Sequence, residues 1–233
     1  MNRRGFTLLE VLVALSLTVM ALSLVAMSIS ASLRAHERAL EHLELIQTER
    51  ETLNRIYRNL SVAYVSPYSQ AASEEIWKTF DTDNAAEPFD ALTFFSIHHR
   101  TNRLNAKESD QAAMTLFTRE DEAREGPERT RLLVLREGGT MNDRFEVTDG
   151  VVYTLAAGLT RLSFDYLDTT GELRHEWRLE DRGRNLPCGV VVKMGLRSEH
   201  LEEISSCSIV PLILTGAQPC RFEKQTLDYL CQE

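Results

Sequence analysis

The chain has 233 residues, of which 43% are hydrophobic, and its formal net charge is −9 at pH 7. This charge argues against nucleic acid as a general partner, because the sequence offers no basic patch that would neutralise phosphates. The length accommodates one membrane helix and one further domain of about 170 residues, which is large enough to bury a hydrophobic core.

The first predicted element is a long apolar helix behind a short basic start. Arg3 and Arg4 precede it, and the run from Val11 to Leu33 contains no Asp, Glu, Lys or Arg. A helix needs roughly 20 apolar residues to cross a bilayer, so this run is long enough to span one. The few basic residues predict a cytoplasmic N-terminus, with the chain after Arg34 on the other side of the membrane.

Glu10 is an acid at the edge of this apolar run, where a carboxylate is costly unless a cation neutralises it. A cut between Gly5 and Phe6 would create an α-amino group a few residues from Glu10. Subunits packed side by side would then pair this carboxylate with a neighbour's terminal amine. A cleaved secretory signal peptide, with a small-residue site at residues 26–31, and a plain signal anchor are the alternatives, and both leave Glu10 unexplained.

Residues 4–15, Arg-Gly-Phe-Thr-Leu-Leu-Glu-Val-Leu-Val-Ala-Leu, resemble the leader and N-terminal helix of type IV pilins and type II secretion pseudopilins. The resemblance implies that a prepilin peptidase cuts after Gly5 and methylates Phe6. It also implies that Glu10 guides assembly into a pilus-like filament on an inner-membrane assembly platform. The implied organisation is a leader (1–5), a transmembrane or filament-core helix (6–33), an amphipathic continuation (34–60) and a periplasmic head (61–233).

The amphipathic continuation is predicted to end at Leu60 and to pack one apolar stripe against a sheet downstream. Arg50 interrupts this predicted stripe, which consists of Ala39, Leu43, Ile46, Leu53, Tyr57 and Leu60. A single helix from Phe6 to Leu60 would be about 80 Å long at 1.5 Å per residue. The predicted fold class is therefore α+β, a pilin-like lollipop with a long helix packed on an antiparallel sheet.

The chain beyond Leu60 predicts a loop over residues 61–87 and then a series of short strands. Pro211 places the last strand at an edge of the sheet, and the stretch Asp168–Gly171 predicts a hairpin. The predicted strands are 91–98, 113–118, 131–136, 145–148, 151–156, 159–167, 173–179, 188–196 and 208–214.

A second resemblance covers residues 151–196. An aromatic-rich strand ends in a Tyr and an acid, a second strand ends in Trp, and Leu-Pro precedes a Val-rich strand; the residues concerned are Tyr166, Asp168, Trp177, Leu186 and Pro187. This pattern resembles the head of the type II secretion minor pseudopilin J. It implies a place near the filament tip, with minor pseudopilins I and K and the major pseudopilin as partners. A type IV pilus minor pilin is the alternative.

Four cysteines lie in the last quarter of the chain: Cys188, Cys207, Cys220 and Cys231. An even number in an oxidising compartment predicts two disulfides, and three connectivities are possible. Their spacing favours Cys188–Cys207 together with Cys220–Cys231. A zinc site is the competing interpretation, but no Cys-x-x-Cys pair occurs.

Motifs for catalysis or for a bound metal are the last class of candidate. The sequence has no Gly-x-Ser-x-Gly turn and no His-Glu-x-x-His helix, so we expect no catalytic residue and no cofactor. Asp81, Asp83 and Glu87 have part of the spacing of a calcium loop but lack its turn glycine and closing Glu. His98 and His99 would point to opposite faces of a strand. The predicted function is structural: to join a pseudopilus tip complex and promote assembly for protein export across the outer membrane.

Overall fold

The computed structural model describes residues 7–64, 89–98, 112–121, 131–138, 150–175, 177, 186–198 and 203–213. The chain divides into two units, residues 1–44 and residues 45–233. Helix α1 spans Leu8–Leu60 and contributes to both units. The predicted end of this helix at Leu60 is confirmed, whereas its predicted first residue, Phe6, lies outside the described residues.

Within the described residues, the strands form one antiparallel sheet in the second unit, with the order β1-β2-β3-β4-β5-β7-β8 and with β6 paired to β5. Neighbours in the sheet are neighbours in the sequence, apart from the short β6. The strands are β1 (Ala63–Tyr64), β2 (Leu92–Ser96), β3 (Ala112–Glu120), β4 (Arg131–Glu137), β5 (Val151–Leu167), β6 (Leu173–Arg174), β7 (Gly189–Leu196) and β8 (Ile204–Pro211).

The main hydrophobic core of the second unit lies between the last turns of α1 and one face of the sheet. On β5, Leu162, Phe164 and Tyr166 lie at alternate positions and are all buried in this core. The helix contributes Leu45, Ile56 and Leu60. A smaller cluster lies on the opposite face, because successive strand residues point to opposite sides of a sheet; it contains Leu167, Cys188 and Val191, with Leu173, Cys207 and Ile209 packed against them.

The predicted helix stripe is wrong in part. Leu60 is buried as predicted and Leu53 packs against the core, but Leu43 and Tyr57 are exposed. The buried helix residues are Leu45, Thr52, Ile56, Asn59 and Leu60. The buried face is therefore rotated from the predicted one, since it includes polar residues that a search for apolar periodicity passes over.

Several predicted strand boundaries also need correction. Residues 151–156 and 159–167 form one continuous strand, because Gly158 takes a positive φ of 77° where the pairing registers of β5 shift. Strand β8 begins at Ile204 rather than at residue 208, and β1 lies within a predicted loop. Of the predicted strand 173–179, only Leu173–Arg174 pairs among the described residues.

The described residues do not include every predicted feature. The predicted strand at 145–148 lies outside them. So do the residues of the partial calcium pattern, Asp81, Asp83 and Glu87, and the second histidine of the pair, His99.

Candidate assembly site

The first turn of α1 places Glu10 at the amino end of the helix. The backbone N–H of Glu10 donates to the carbonyl oxygen of Thr7 at 3.0 Å and lies 3.3 Å from the Thr7 hydroxyl oxygen. Thr7 therefore has the position of an N-cap residue and Glu10 that of the third helical residue, which is the spacing of a capping box. The sequence signal for this arrangement was the Thr-x-x-Glu spacing, which the sequence analysis did not use.

The apolar segment of α1 exposes its large side chains. Between Leu8 and Leu33, each large aliphatic or Met side chain that is exposed has at least half of its surface accessible, from 50% for Val13 to 81% for Leu8. By length and composition, α1 is one helix that could cross a membrane. Such a surface in contact with water would be unstable, so lipid or other apolar helices must cover it.

Four hydroxyl groups within this segment are satisfied by the helix itself. Ser16, Thr18, Ser23 and Ser30 each donate to the carbonyl oxygen three or four residues earlier, at 2.7–2.9 Å. A hydroxyl that is bonded within its own helix needs no water, so these four residues do not prevent the segment from lying in an apolar medium.

The carboxyl-terminal turns of α1 are attached to the sheet by polar contacts as well as by apolar packing. Thr52 donates its hydroxyl to the carbonyl oxygen of Leu155 on β5 at 3.1 Å. Ser96 on β2 is fully buried and donates to the carbonyl oxygen of Asn59 at 2.8 Å. Because the last carbonyls of a helix lack partners within it, Ser96 closes the end of α1.

A cation–π contact adds to this attachment on the same side of the sheet. The guanidinium carbon of Arg55 lies 4.6 Å from the ring centre of Tyr153 on β5. Such contacts contribute about 0.5–1 kcal/mol at partly exposed sites. The last three turns of the helix are thus held by β2, by β5 and by the core.

The residues that carried the second resemblance have structural roles in the head. Tyr166, Trp177 and Leu186 all lie in the core, and the Tyr166 and Trp177 rings are 6.5 Å apart at 51°. Burial raises the pKa of Tyr166, and the carboxylates of Asp90 and Asp165 raise it further. The phenol of Tyr166 therefore stays neutral at any physiological pH.

Asp168 organises the hairpin between β5 and β6. Its carboxylate accepts hydrogen bonds from the backbone of Thr170 at 2.8 Å, the backbone of Glu172 at 3.1 Å and the Arg174 side chain at 3.0 Å. Gly171, at φ 85°, completes the turn. Burial of this carboxylate acts to raise its pKa, but the hydrogen bonds from Thr170, Glu172 and Arg174 outweigh burial and lower the pKa to about 2.

A second group of charges lies beside this hairpin. Asp165 is buried and contacts His175 Nδ1 at 2.6 Å and Lys193 Nζ at 3.4 Å. The His175 side chain is exposed, so this pair is at the rim of the sheet rather than in an enclosed cleft. Among the described residues, no group of three or more His, Cys, Asp or Glu side chains is placed to hold a metal ion.

The predicted site residues are described only in part. Gly5 and Phe6, at the predicted cleavage and methylation position, lie outside the described residues, as do Cys220 and Cys231. Cys188 and Cys207 are described, and both are disulfide-bonded.

The pairing that the sequence spacing favoured, Cys188 with Cys207, is incompatible with the sheet. Cys207 lies opposite Lys193 in the ladder of β7 and β8, and Lys193 is five residues from Cys188. Five residues of strand extend about 16 Å, whereas the two Cα atoms of a disulfide lie within about 7 Å. The predicted pairing is therefore wrong.

Comparison with known proteins adds a match to a family and matches to solved structures. Residues 1–31 match the family described as the prokaryotic N-terminal methylation motif. The chain is also similar to a chain in the crystal structure of the GspK-GspI-GspJ complex from the enterotoxigenic Escherichia coli type 2 secretion system. The identity is 11% over 71% of this chain and 97% of that chain, with a TM-score of 0.41. No curated protein matches the chain.

The motif match confirms the resemblance of residues 4–15, whereas cleavage after Gly5, methylation of Phe6 and the assembly role of Glu10 stay predictions. The N-terminal segment is a methylation motif, and it opens a long apolar helix that is followed by an antiparallel sheet. These features define an α+β protein that begins with a methylation motif.

Proposed function

We propose that this chain is a structural subunit of a pilus-like filament, and that it is a minor pseudopilin of a type II secretion system rather than an enzyme. The observation that carries the proposal is the methylation motif at residues 1–31, which opens a helix with an exposed apolar surface. In this role the chain joins the tip complex of a pseudopilus and promotes its assembly for protein export across the outer membrane.

The apolar segment of α1 has two successive environments in this proposal. Before assembly it lies in the inner membrane as a single span, with the C-terminal head in the periplasm. After assembly it lies among the equivalent helices of neighbouring subunits. The intrahelical bonds of Ser16, Thr18, Ser23 and Ser30 support both states, because neither environment has to supply water or partners for these hydroxyls.

Processing by a prepilin peptidase links these two states. Cleavage between Gly5 and Phe6 and methylation of Phe6 produce a terminal amine within one turn or so of Glu10. The Glu10 carboxylate of one subunit then pairs with the amine of its neighbour. The capping contact between Thr7 and the Glu10 backbone holds the first turn of the helix in place for this pairing.

The proposed partners are minor pseudopilins I and K, the major pseudopilin, the prepilin peptidase and the inner-membrane assembly platform. The pattern of Tyr166, Asp168, Trp177 and Leu186-Pro187 supports the assignment to the J type. Tyr166, Trp177 and Leu186 lie in the core of the head, and Asp168 lies in its turn. A minor pilin of a type IV pilus is the alternative class.

Co-purification distinguishes a minor pseudopilin from a type IV minor pilin by the partners that the chain retains. The tagged full chain, expressed with the minor pseudopilins and the minor pilins of its own genome, is extracted in mild detergent and its bound proteins are identified by mass spectrometry. We expect minor pseudopilins I and K to be retained. Retention of type IV minor pilins without I and K would contradict the assignment. A chain carrying Ile56→Ala, which removes core packing in the head, shows whether retention needs the folded head.

Processing has its own test. The intact mass of the full chain, expressed with a prepilin peptidase, should correspond to a start at Phe6 with one added methyl group. Gly5→Leu should leave the leader attached, because the bulky side chain obstructs the cleaved bond. Asn2→Leu, the same replacement three residues upstream, should be processed as the parent is. A mature chain that starts elsewhere would contradict the proposal.

A further inference from the structure

A line of exposed apolar side chains on α1 continues past the end of the uncharged run. Ile29, Leu33, Leu40 and Leu43 are 48–61% exposed and follow one another at intervals of four, seven and three residues. At about 100° per residue they lie within roughly 80° of arc around the helix, so they form one face, called here the apolar seam. Leu43, which apolar periodicity predicts to face the sheet, is instead an exposed member of this seam.

Lipid can cover only the inner half of the apolar seam. The uncharged run from Val11 to Leu33 is about 35 Å long as a helix, which already fills a hydrocarbon core of about 30 Å. Leu40 and Leu43 lie roughly 10–15 Å further along α1, in a part of the helix that is charged from Arg34 onward. These two side chains are therefore removed from water only when another protein surface covers them.

The spacing of the apolar seam is typical of a helix that packs lengthwise on another helix. Alternate intervals of three and four residues repeat every seven, and apolar residues continue at this spacing upstream to Leu8. None of the six Ser and Thr residues between Leu8 and Leu33 falls on this line. Downstream, the next two positions are Gln47 and Arg50, which end it. The line is thus about 50 Å long and passes from the membrane into water.

We propose that the apolar seam binds, in parallel, the first helix of a different pilin-like subunit, an inference that rests on the proposed function. A partner that covers both halves of the line must itself leave the membrane as a helix, because the line crosses the membrane boundary. A helix whose own apolar residues repeat every seven positions meets both requirements. The seam therefore defines which side of α1 is turned towards a neighbouring subunit.

His36 favours a different chain over a second copy of this one. It occupies the one polar position of the line between Leu33 and Leu40. Two copies packed in register would place two imidazoles against each other within an apolar contact, where protonation of both rings would be repulsive. A carboxylate of the partner at this level would instead accept a hydrogen bond from the ring. The chemistry of the partner is therefore an apolar seven-residue line with an acid opposite His36.

Site-specific photocrosslinking locates the contact. The full chain, expressed with the pilin-like subunits of its own genome, carries Leu40→p-benzoylphenylalanine or Leu43→p-benzoylphenylalanine, and its adducts are mapped by mass spectrometry after irradiation. We expect both positions to label the first helix of another pilin-like subunit. Arg38→p-benzoylphenylalanine, at an exposed residue on the opposite side of α1 from the seam, should label that helix weakly or not at all. Equal labelling from position 38, adducts with a second copy, or no protein adduct from positions 40 and 43 would overturn the proposal.

Charged variants measure what the seam contributes. Leu40→Glu combined with Leu43→Glu places two carboxylates on the seam, so retention of the partner in mild detergent should fall at least about tenfold. Arg38→Glu should retain the partner as the parent does. All three positions are exposed, so urea unfolding should show that the head stays folded.

Processing at Phe6 separates failure of this inference from failure of the proposed function. If the chain is processed and the variant with both leucines replaced keeps its pilin-like partner, the seam is wrong and the proposed function stands. If the parent chain is not processed when a prepilin peptidase is present, both are wrong.

Discussion

At the scale of single residues, Asp168 is the clearest case of a side chain that fixes local structure. Its carboxylate collects backbone and side-chain donors from Thr170, Glu172 and Arg174, and it is almost fully buried. The carboxylate is therefore required in its ionised form. The hairpin between β5 and β6 depends on one negative charge.

This charge predicts a pH dependence of stability. The pKa of Asp168 is about 2 in the folded chain against an ordinary value of 3.8, so the folded state favours ionised Asp168. The resulting stabilisation of about 2 kcal/mol is complete above about pH 4 and is lost as the pH falls through about 2. Urea unfolding of the full chain in detergent between pH 2 and pH 6 should show it.

Two variants test this pH dependence: Asp168→Asn removes the charge, and Glu172→Gln is the matched control. Asp168→Asn should remove most of the loss of stability between pH 4 and pH 2, since the amide does not titrate. Glu172→Gln, at an exposed acid of the same turn, should leave that dependence in place. Equal acid sensitivity of Asp168→Asn and the parent would show that another group is responsible.

Ser96 is the second residue whose replacement should lower the stability of the chain. Ser96→Ala takes away the donor to the Asn59 carbonyl and leaves that group buried without its partner. We expect the free energy of unfolding to fall by about 1–3 kcal/mol. Urea unfolding measures this, and Ser205→Ala, at an exposed serine, should change it by less than about 0.5 kcal/mol. Equal values for the two variants would contradict the role of Ser96.

The residue-scale contacts were largely invisible in the sequence. The Asp-Thr-Thr-Gly stretch predicted the hairpin, because a turn of this kind is chosen by four adjacent residues. Neither Ser96 nor Thr52 gave a signal, since their partners lie 37 and 103 residues away in the chain. Burial of a hydroxyl depends on a distant carbonyl, and only the fold brings that carbonyl close.

At the scale of elements, the packing of the last turns of α1 against the sheet determines how the core of the head is built. The buried helix face runs through Leu45, Thr52, Ile56 and Leu60. Apolar periodicity alone predicts a neighbouring face, because it includes Leu43 and Tyr57 and passes over the polar Thr52. The Thr52 hydrogen bond to β5 compensates for burying its hydroxyl and makes the observed face the better one.

Truncation of the buried face tests this docking. Ile56→Ala should lower the free energy of unfolding by about 2–5 kcal/mol, because Ile56 is 1% exposed and its loss leaves a cavity in the core. Leu43→Ala removes an aliphatic side chain that is 61% exposed and should change stability by less than about 0.5 kcal/mol. Urea unfolding compares them. A larger loss for Leu43→Ala would favour the stripe predicted from the sequence.

Strand β5 is one strand where the sequence predicts two. Glycine is a frequent strand breaker, so the sequence predicts that one strand ends before Gly158 and another begins after it. Its φ of 77° instead lets one long strand change register, pairing first with β4 and then with β7. A positive φ within a continuous strand is a tertiary feature that the local sequence does not distinguish from a turn.

A side chain at this position should therefore be costly. Gly158→Ala should destabilise the chain by about 1–2 kcal/mol, since a Cβ atom disfavours positive φ. Ala157→Ser, at the exposed neighbouring residue, serves as the control. Thermal or urea unfolding distinguishes them, and a neutral Gly158→Ala would mean that the register shift does not depend on the left-handed conformation.

At the scale of the whole molecule, the N-terminal segment was the most predictable part of the chain. The features that identify it lie in one short stretch of the sequence: a basic start, Gly5, Phe6, Glu10 and an uncharged apolar run. Nothing about it depends on contacts between distant residues, and the motif match at residues 1–31 confirmed it. The disulfide pairing is the opposite case, because sequence spacing favoured a bond that the strand register forbids.

We propose that the charge of Glu10 pairs with the processed terminus of a neighbouring subunit during assembly. Glu10 also follows Thr7 by three residues, the spacing of a capping box, which offers a different reason for this side chain. Glu10→Gln separates the two, because glutamine keeps the length and hydrogen-bonding capacity of the side chain while it removes the charge. Glu37→Gln, at an exposed acid further along α1, is the matched control.

The decisive measurement is the amount of processed chain recovered in the filament fraction, relative to the amount in the inner membrane. We predict that Glu10→Gln and Glu10→Leu are both processed at Phe6 and inserted normally, but that recovery in filaments falls at least about tenfold, which corresponds to about 1.4 kcal/mol. Glu37→Gln should assemble as the parent does. If Glu10→Gln enters filaments as well as the parent, the pairing of this carboxylate with a neighbour's amine is wrong.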